Sequence, residues 1–128
     1  MAFHISKIVD LSFEEAEKRI REELKNIGFG ILTKIDVKKT FKEKIDVEFR
    51  DYKILGACNP KFAHQALTEN DKIGVILPCS VVIQKHKNNE VEISIMNPAP
   101  FMGLVESEKI TDFAKQIEKL LEDALKSV

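Results

Sequence analysis

The 128-residue sequence has no Trp, one Tyr, two Cys, four Pro and five Gly, and no surplus of charge of either sign. Each shortage closes off a class of protein. Two Cys cannot build the disulfide framework of a small secreted scaffold, and in a reducing compartment they are expected to stay as thiols. So few Pro and Gly leave no collagen-like, linker-like or low-complexity tract. With 20 Lys plus Arg against 21 Asp plus Glu, the net charge is −1, so no global field gathers phosphate backbones or anionic lipid. No apolar run approaches the ~20 residues of a membrane-spanning helix. The first residues carry Asp10, Glu14, Glu15 and Glu17, which is not the charged-then-apolar order of a signal peptide. The expectation is a cytoplasmic protein with neither nucleic acid nor membrane as partner.

What remains is ordinary globular composition, 44% hydrophobic and 32% charged, and the length suits a single domain over residues 1–128 that buries about two-thirds of its unfolded surface. Phe3, Ile5 and Val9 alternate as a first strand, broken only by Lys7. Ser12 with Glu15 reads as a capping box, and Phe13, Ala16, Ile20, Leu24 and Ile27 continue it as a helix over about 13–27 that Gly28 ends. Phe29, Ile31, Thr33 and Ile35 alternate as a second strand. Asp36 caps a short second helix with Val37, Phe41 and Ile45 on a narrow stripe. Tyr52 to Cys58 predicts a third strand, with Tyr52, Ile54, Gly56 and Cys58 on one face.

Asn59-Pro60 then opens a third helix over about 60–69, because Asn is a preferred cap and Pro suits the first helical position. Residues 74–84 are apolar on both faces and read as a central strand interrupted by Pro78. Lys87 to Glu90 makes a hairpin turn into a strand with Val91, Ile93 and Ile95 inward. Residues 97–105 read as an apolar loop, and Ser107 caps a final helix running from Ile110 to Val128 at helical period. The order is β-α-β-α-β-α-β-β-α. It predicts an α+β fold, an α/β two-layer sandwich with a mixed sheet of about five strands and helices mainly on one face.

Chemistry concentrates at Cys58. It precedes the Asn59 cap, so its sulfur is placed near the positive end of a helix, where a lowered thiol pKa follows as a hypothesis. Cys79, after Pro78, lies on a strand that a right-handed crossover would set beside the third, bringing the two sulfurs close. Three readings stay open: small buried hydrophobes, a redox or reactive thiol, and metal or ligand binding. For zinc the further candidate is His64, one turn into the third helix. Cys58, His64 and Cys79 are an incomplete set, and His86 falls on the face opposite Cys79. His64 also reads as a plain solvated helix residue. Tyr52 shares a face with Cys58, either as core or as a hydroxyl in the same site. An anion could sit at the Asn59-Pro60 helix start. No cofactor is named by this pattern.

The stretch Tyr52-Lys53-Ile54-Leu55-Gly56-Ala57-Cys58-Asn59-Pro60, with Ala63-His64 and Leu77-Pro78-Cys79-Ser80-Val81-Val82, resembles the domain-of-unknown-function family numbered 302. The resemblance extends over nearly the whole chain. Asn97 stands where that family tends to have Asp, and Ser80 where Asn is expected. The resemblance implies a small α/β domain of bacterial or archaeal origin, often a dimer, without an established activity. Together the residues point to a cytoplasmic binding or thiol-bearing module whose ligand site is Cys58, Asn59, His64, Cys79 and Tyr52, taking a small anion, a small molecule or a metal ion. The alternatives are an enzyme or redox protein using Cys58, and a purely structural dimerising domain. A homodimer is expected from the apolar segments 75–83 and 100–105.

Overall fold

The computed structural model describes residues 2–128, and its elements begin where the caps place them. Ser12 Oγ accepts the Glu15 N–H at 3.1 Å and opens α1 (Phe13–Asn26), whose buried stripe is Phe13, Ala16, Ile20 and Leu24. On either side of it run β1 (His4–Val9) and β2 (Gly30–Asp36). Asp36 Oδ1 accepts the Lys39 N–H at 3.1 Å and starts α2 (Val37–Ile45), which has no buried residue. Then follow β3 (Tyr52–Cys58) and α3 (Pro60–Glu69), joined through Asn59 alone. The chain closes with β4 (Cys79–Lys85), β5 (Val91–Met96), α4 (Pro98–Met102) and α5 (Glu108–Lys126). No helix among the described residues is long and apolar enough to cross a membrane.

The five strands form one sheet in the order β1-β5-β4-β3-β2, and every neighbouring pair is antiparallel. The α+β sandwich and the strand number agree with the sequence reading, whereas the mixed sheet is corrected. Helix length is the reason. A crossover between parallel neighbours needs a helix that runs back along the strand, and the seven residues of β3 extend about 23 Å. With nine and ten residues, α2 and α3 reach only about 14–15 Å. Of their residues only Ala66 is buried, and they join antiparallel neighbours. By contrast α1 and α5, with 14 and 19 residues, reach about 21 and 28 Å and cover one face of the sheet.

Three local expectations also change. The predicted strand over 74–84 starts only at Cys79; Ile73–Ile76 forms a 3-10 turn that buries Ile73 and leaves Val75 86% exposed. Residues 98–102 are helical instead of loop, because Asn97 Oδ1 accepts the Ala99 N–H at 3.2 Å and Pro98 follows it. Phe3, expected to share an inner face with Ile5 and Val9, is 65% exposed. Lys7, which breaks the alternation of β1, turns toward the helix layer, where its Nζ donates to the Lys126 and Val128 carbonyls at 3.2 and 2.5 Å at the C-terminus of α5.

The core divides in two. The main cluster joins Ile20 and Leu24 of α1, Leu121 of α5, and Leu55, Ala57, Val81, Ile83, Ile93 and Ile95 of the sheet. A smaller cluster joins Ala66, Ile73, Met102, Ile110 and Ala114, with Leu77 and Phe113 packed against it.

Candidate functional site

The junction of β3 and α3 is built by four consecutive residue choices. Gly56 is needed because a Cβ there would stand 2.2 Å from Thr33 Oγ1 and 2.8 Å from the Pro78 ring, closer than atoms can approach. Ala57 points into the core and is paired in register with Cys79 of β4. Cys58 ends the strand half-buried. Asn59 Oδ1 then accepts the Lys61 and Phe62 N–H groups at 3.1 and 3.3 Å, and Pro60 takes the first helical position. The other end of the Asn59 amide rests against Gly28, where a Cβ would lie 3.0 Å from Nδ2 and where φ is +87°. Gly28 therefore provides both a left-handed turn and room for the cap.

Beside this junction lies a cavity of about 40 Å³ lined by both cysteines. It sits at the seam between the two core clusters: Phe29, Ala57 and Ile117 approach from the main one, Ala66, Leu77 and Met102 from the smaller. Its wall is almost wholly apolar, and the Asn59 side chain near its mouth is already engaged with the helix amides. Cys79 is only 5% exposed. Burial first, and the neighbouring Cys58 second, push its thiol up to about 11, so at neutral pH it carries its proton. Among the described residues no base is hydrogen-bonded to Cys58. The helix start offers no anion site either, since Asn59 takes the first free amides and an apolar wall would leave a charge unsolvated.

The family model described as Domain of unknown function DUF302 matches residues 5–128. The chain belongs to that family. A solved DUF302 structure, an uncharacterized conserved protein from Bacillus stearothermophilus, superposes with a TM-score of 0.91 at 31% identity, covering 98% of each chain. A stretch of 114 residues, 89% of this chain, is also 26% identical to the cell division protein DivIB of Bacillus cytotoxicus. The chain spans only 37% of that relative's length.

In this DUF302 chain the five candidate site residues do not form one set. Cys58, Asn59 and Cys79 line the cavity. His64 does not; it faces a separate depression with Thr68, Glu69 and Lys109, because one turn of α3 carries it away from the helix start. Tyr52 lies at the far end of β3 on the uncovered face of the sheet, against Phe49 at a ring separation of 5.9 Å. The shared alternation of Tyr52 and Cys58 fails because Cys58 stands at the strand's last position, where the chain turns into α3. Among the described residues no three His, Cys, Asp or Glu side chains come together as a metal site, and the three zinc candidates are divided, Cys58 and Cys79 on the cavity and His64 on the separate depression. His86 bonds Glu92 Oε1 at 3.0 Å instead. Sequence reading missed Phe62, Pro98 and Met102 as wall residues. The apolar character of the 98–105 segment was the available signal.

A second polar cluster lies on the helix-covered side. Glu17 of α1 receives Lys53 Nζ at 2.9 Å, Arg21 Nε at 3.0 Å and Lys34 Nζ at 3.3 Å. Burial raises the Glu17 carboxyl, but the hydrogen bonds from Lys53 and Arg21 and the Lys53 charge outweigh it, and the net direction is downward.

Proposed function

We propose that this chain is a cytoplasmic thiol-bearing binding module that seats a small apolar group in the cavity between Cys58 and Cys79. One observation carries the reading: two cysteines 21 positions apart in sequence line the same cavity, whose other walls are apolar. Its volume of about 40 Å³ exceeds the ~10–15 Å³ that one water needs, yet an apolar wall gives water no partners. A methyl or ethyl group, or a small thioether or alkyl end of a larger molecule, fits it better. Cys58, half-buried at the rim, is the sulfur such a ligand meets first. Cys79, held protonated by burial, acts as a polarizable wall.

Methyl methanethiosulfonate tests this directly, because it places a single S–CH3 group on an accessible thiolate and releases methanesulfinate. The expected result is one modified thiol per chain, Cys58, with a raised melting temperature as the methyl group fills the cavity. N-ethylmaleimide, too large for the space, should modify Cys58 without raising it. Equal thermal shifts with the two reagents, or reaction at Cys79 ahead of Cys58, would overturn the reading.

A further inference from the structure

The face of the sheet opposite α1 and α5 carries a depression of about 430 Å³, within the range of about 300–1,000 Å³ usual for small-molecule sites. Side-chain length shapes it. Register sets Ser6, Ser94 and Val82 in one row across β1, β5 and β4, with Ser80 diagonal to Ser94, and these short side chains make the floor. Longer ones make the rim, Tyr52, Gln84 and Glu92 on one flank and Phe3, His4 and Met96 on the other. Gln84 and Ser80 stand four residues apart on β4, so the flanks are separated by about 14 Å. One six-membered ring with its substituents fits between them.

The polar atoms of the floor are joined in a chain. His4 Nδ1 and Ser6 Oγ lie 2.7 Å apart, and Ser6 Oγ and Ser94 Oγ 2.8 Å apart. When Nδ1 accepts, Ser6 donates to it and Ser94 donates to Ser6, and the Ser94 lone pairs stay open to the depression. When Nδ1 carries the hydrogen, each bond reverses and Ser94 donates outward. On the flank, Arg50 Nε donates to Gln84 Oε1 at 3.0 Å, which leaves the Gln84 amide hydrogens to donate. His86 holds Glu92 Oε1 at 3.0 Å, which leaves the second carboxylate oxygen to accept. Rings stand at the two ends: Tyr52, with the Arg50 guanidinium 5.5 Å from its centre, and Phe3, edge-on to His4 at 4.8 Å.

We propose that this depression binds a neutral polyhydroxylated ring, a sugar unit. A ligand hydroxyl both donates and accepts, so it matches the Ser94 end of the chain in either direction and can link the Gln84 amide to the free Glu92 oxygen. Ions match less well. Glu92, the one carboxylate on the wall, repels an anion, and its bond to His86 weakens its hold on an ammonium ion. The strand lysines Lys7 and Lys53 turn to the helix side, toward α5 and Glu17. An apolar partner surface fits worst, because it would bury the hydroxyls of Ser6, Ser80 and Ser94 without giving them new partners. The C–H face of a sugar ring, by contrast, packs on Val82 between the Tyr52 and Phe3 rings while its hydroxyls reach the flanks.

This inference stands apart from the thiol reading, and its test leaves the cysteines untouched. Backbone amide resonances are followed while the protein is titrated with glucose, galactose, N-acetylglucosamine, maltose and cellobiose, and separately with sodium acetate, sodium phosphate and glycine. At least one of the sugars is expected to give saturable shifts centred on residues 80–84 and 92–96. Ser94→Ala and Gln84→Ala, which each remove one hydrogen-bonding group, should weaken that binding about threefold to tenfold. Ser94→Phe raises a ring from the floor and should abolish it with an unchanged far-ultraviolet circular dichroism spectrum; if that variant fails to fold, the two alanine variants carry the test. Absence of saturable shifts with all five sugars, or shifts centred elsewhere, would overturn the proposal. Tighter binding of acetate, phosphate or glycine at the same residues would overturn it in favour of a charged ligand, and undiminished binding in both alanine variants would overturn it equally.

Discussion

Gly56→Ala is the most direct probe of how the fold sets the two sulfurs side by side. The added methyl carbon would stand 2.2 Å from Thr33 Oγ1 on one flank and 2.8 Å from Pro78 Cγ on the other. Thr33 can relieve its contact by rotating, since its side chain lies on the uncovered face, but the Pro78 ring is fixed in its own backbone. The strand must therefore shift away from the segment that leads into Cys79. Overpacking of this kind costs about 1–3 kcal/mol, while replacing a flexible Gly inside a strand returns about 0.5–1 kcal/mol. The steric cost wins, and a net loss of about 1–2 kcal/mol is expected. For a chain of this length that is a fall of roughly 3–10 °C in melting temperature, read equally well as a lowered urea midpoint at unchanged slope. Thr33→Ala in the same chain removes the nearer contact, and the pair should show a favourable coupling of at least about 0.5 kcal/mol. A midpoint that stays put or rises in Gly56→Ala, or strict additivity of the two changes, would refute the claim that close approach dictates this glycine.

Four further outcomes follow from burial and from named contacts. Because burial pushes the Cys79 thiol up to about 11, alkylation of the native protein at pH 8 should consume one thiol per chain and reach two only in denaturant; rapid loss of both in the native state would contradict the burial. Glu17 titrates below its ordinary 4.5 in the folded chain, so its stabilising contribution is complete above that value and is lost as pH falls through the folded one. Glu17→Gln should flatten the acid limb of a stability–pH curve, and an identical limb in both proteins would sink the assignment. Lys53, raised above 10.5 by the Glu17 hydrogen bond and charge against the opposing effect of burial, contributes below 10.5 and loses that contribution as pH rises through its folded value. Asn97 donates Nδ2 to the Ala2 carbonyl at 3.1 Å while 6% exposed, a bond that a carboxylate cannot make. Asn97→Asp should therefore cost about 1–2 kcal/mol even though Asp caps α4 as well as Asn does, and a neutral result in thermal melts would refute it.

Much of the fold was written in local chemistry. Ser12, Asp36, Asn59 and Ser107 each cap the helix that sequence placed after them, because a side-chain oxygen beside free amides is a short-range signal. Alternation in β5 and helical period in α5 were equally plain. Strand direction was not legible, since it depends on whether α2 and α3 are long enough to run back over the sheet, and they are not. Lys7 and Phe3 misled for a related reason. The side chain of Lys7 belongs to the C-terminus of α5, which lies more than a hundred residues on, and no local pattern contains that contact.

The cavity shows where local reading ends. Cys58 and Asn59 reach it through the strand-to-helix step that their own neighbours encode. Cys79 reaches it only because β3 and β4 are antiparallel with Ala57 opposite Cys79, a register set by the whole sheet. Tyr52 and His64 were grouped with them by sequence spacing, which counts residues along one element and ignores where that element stops. A strand that ends at Cys58 places Tyr52 six residues back, at the opposite end of β3 and on the uncovered side of the sheet. The same geometry divides the molecule's two unexplained features between its two layers. The cavity lies beneath the sheet, at the seam of two cores that short helices cannot join into one, and the mixed polar and apolar rows that include Tyr52, Val82 and Ser94 lie above it, on the face opposite α1 and α5.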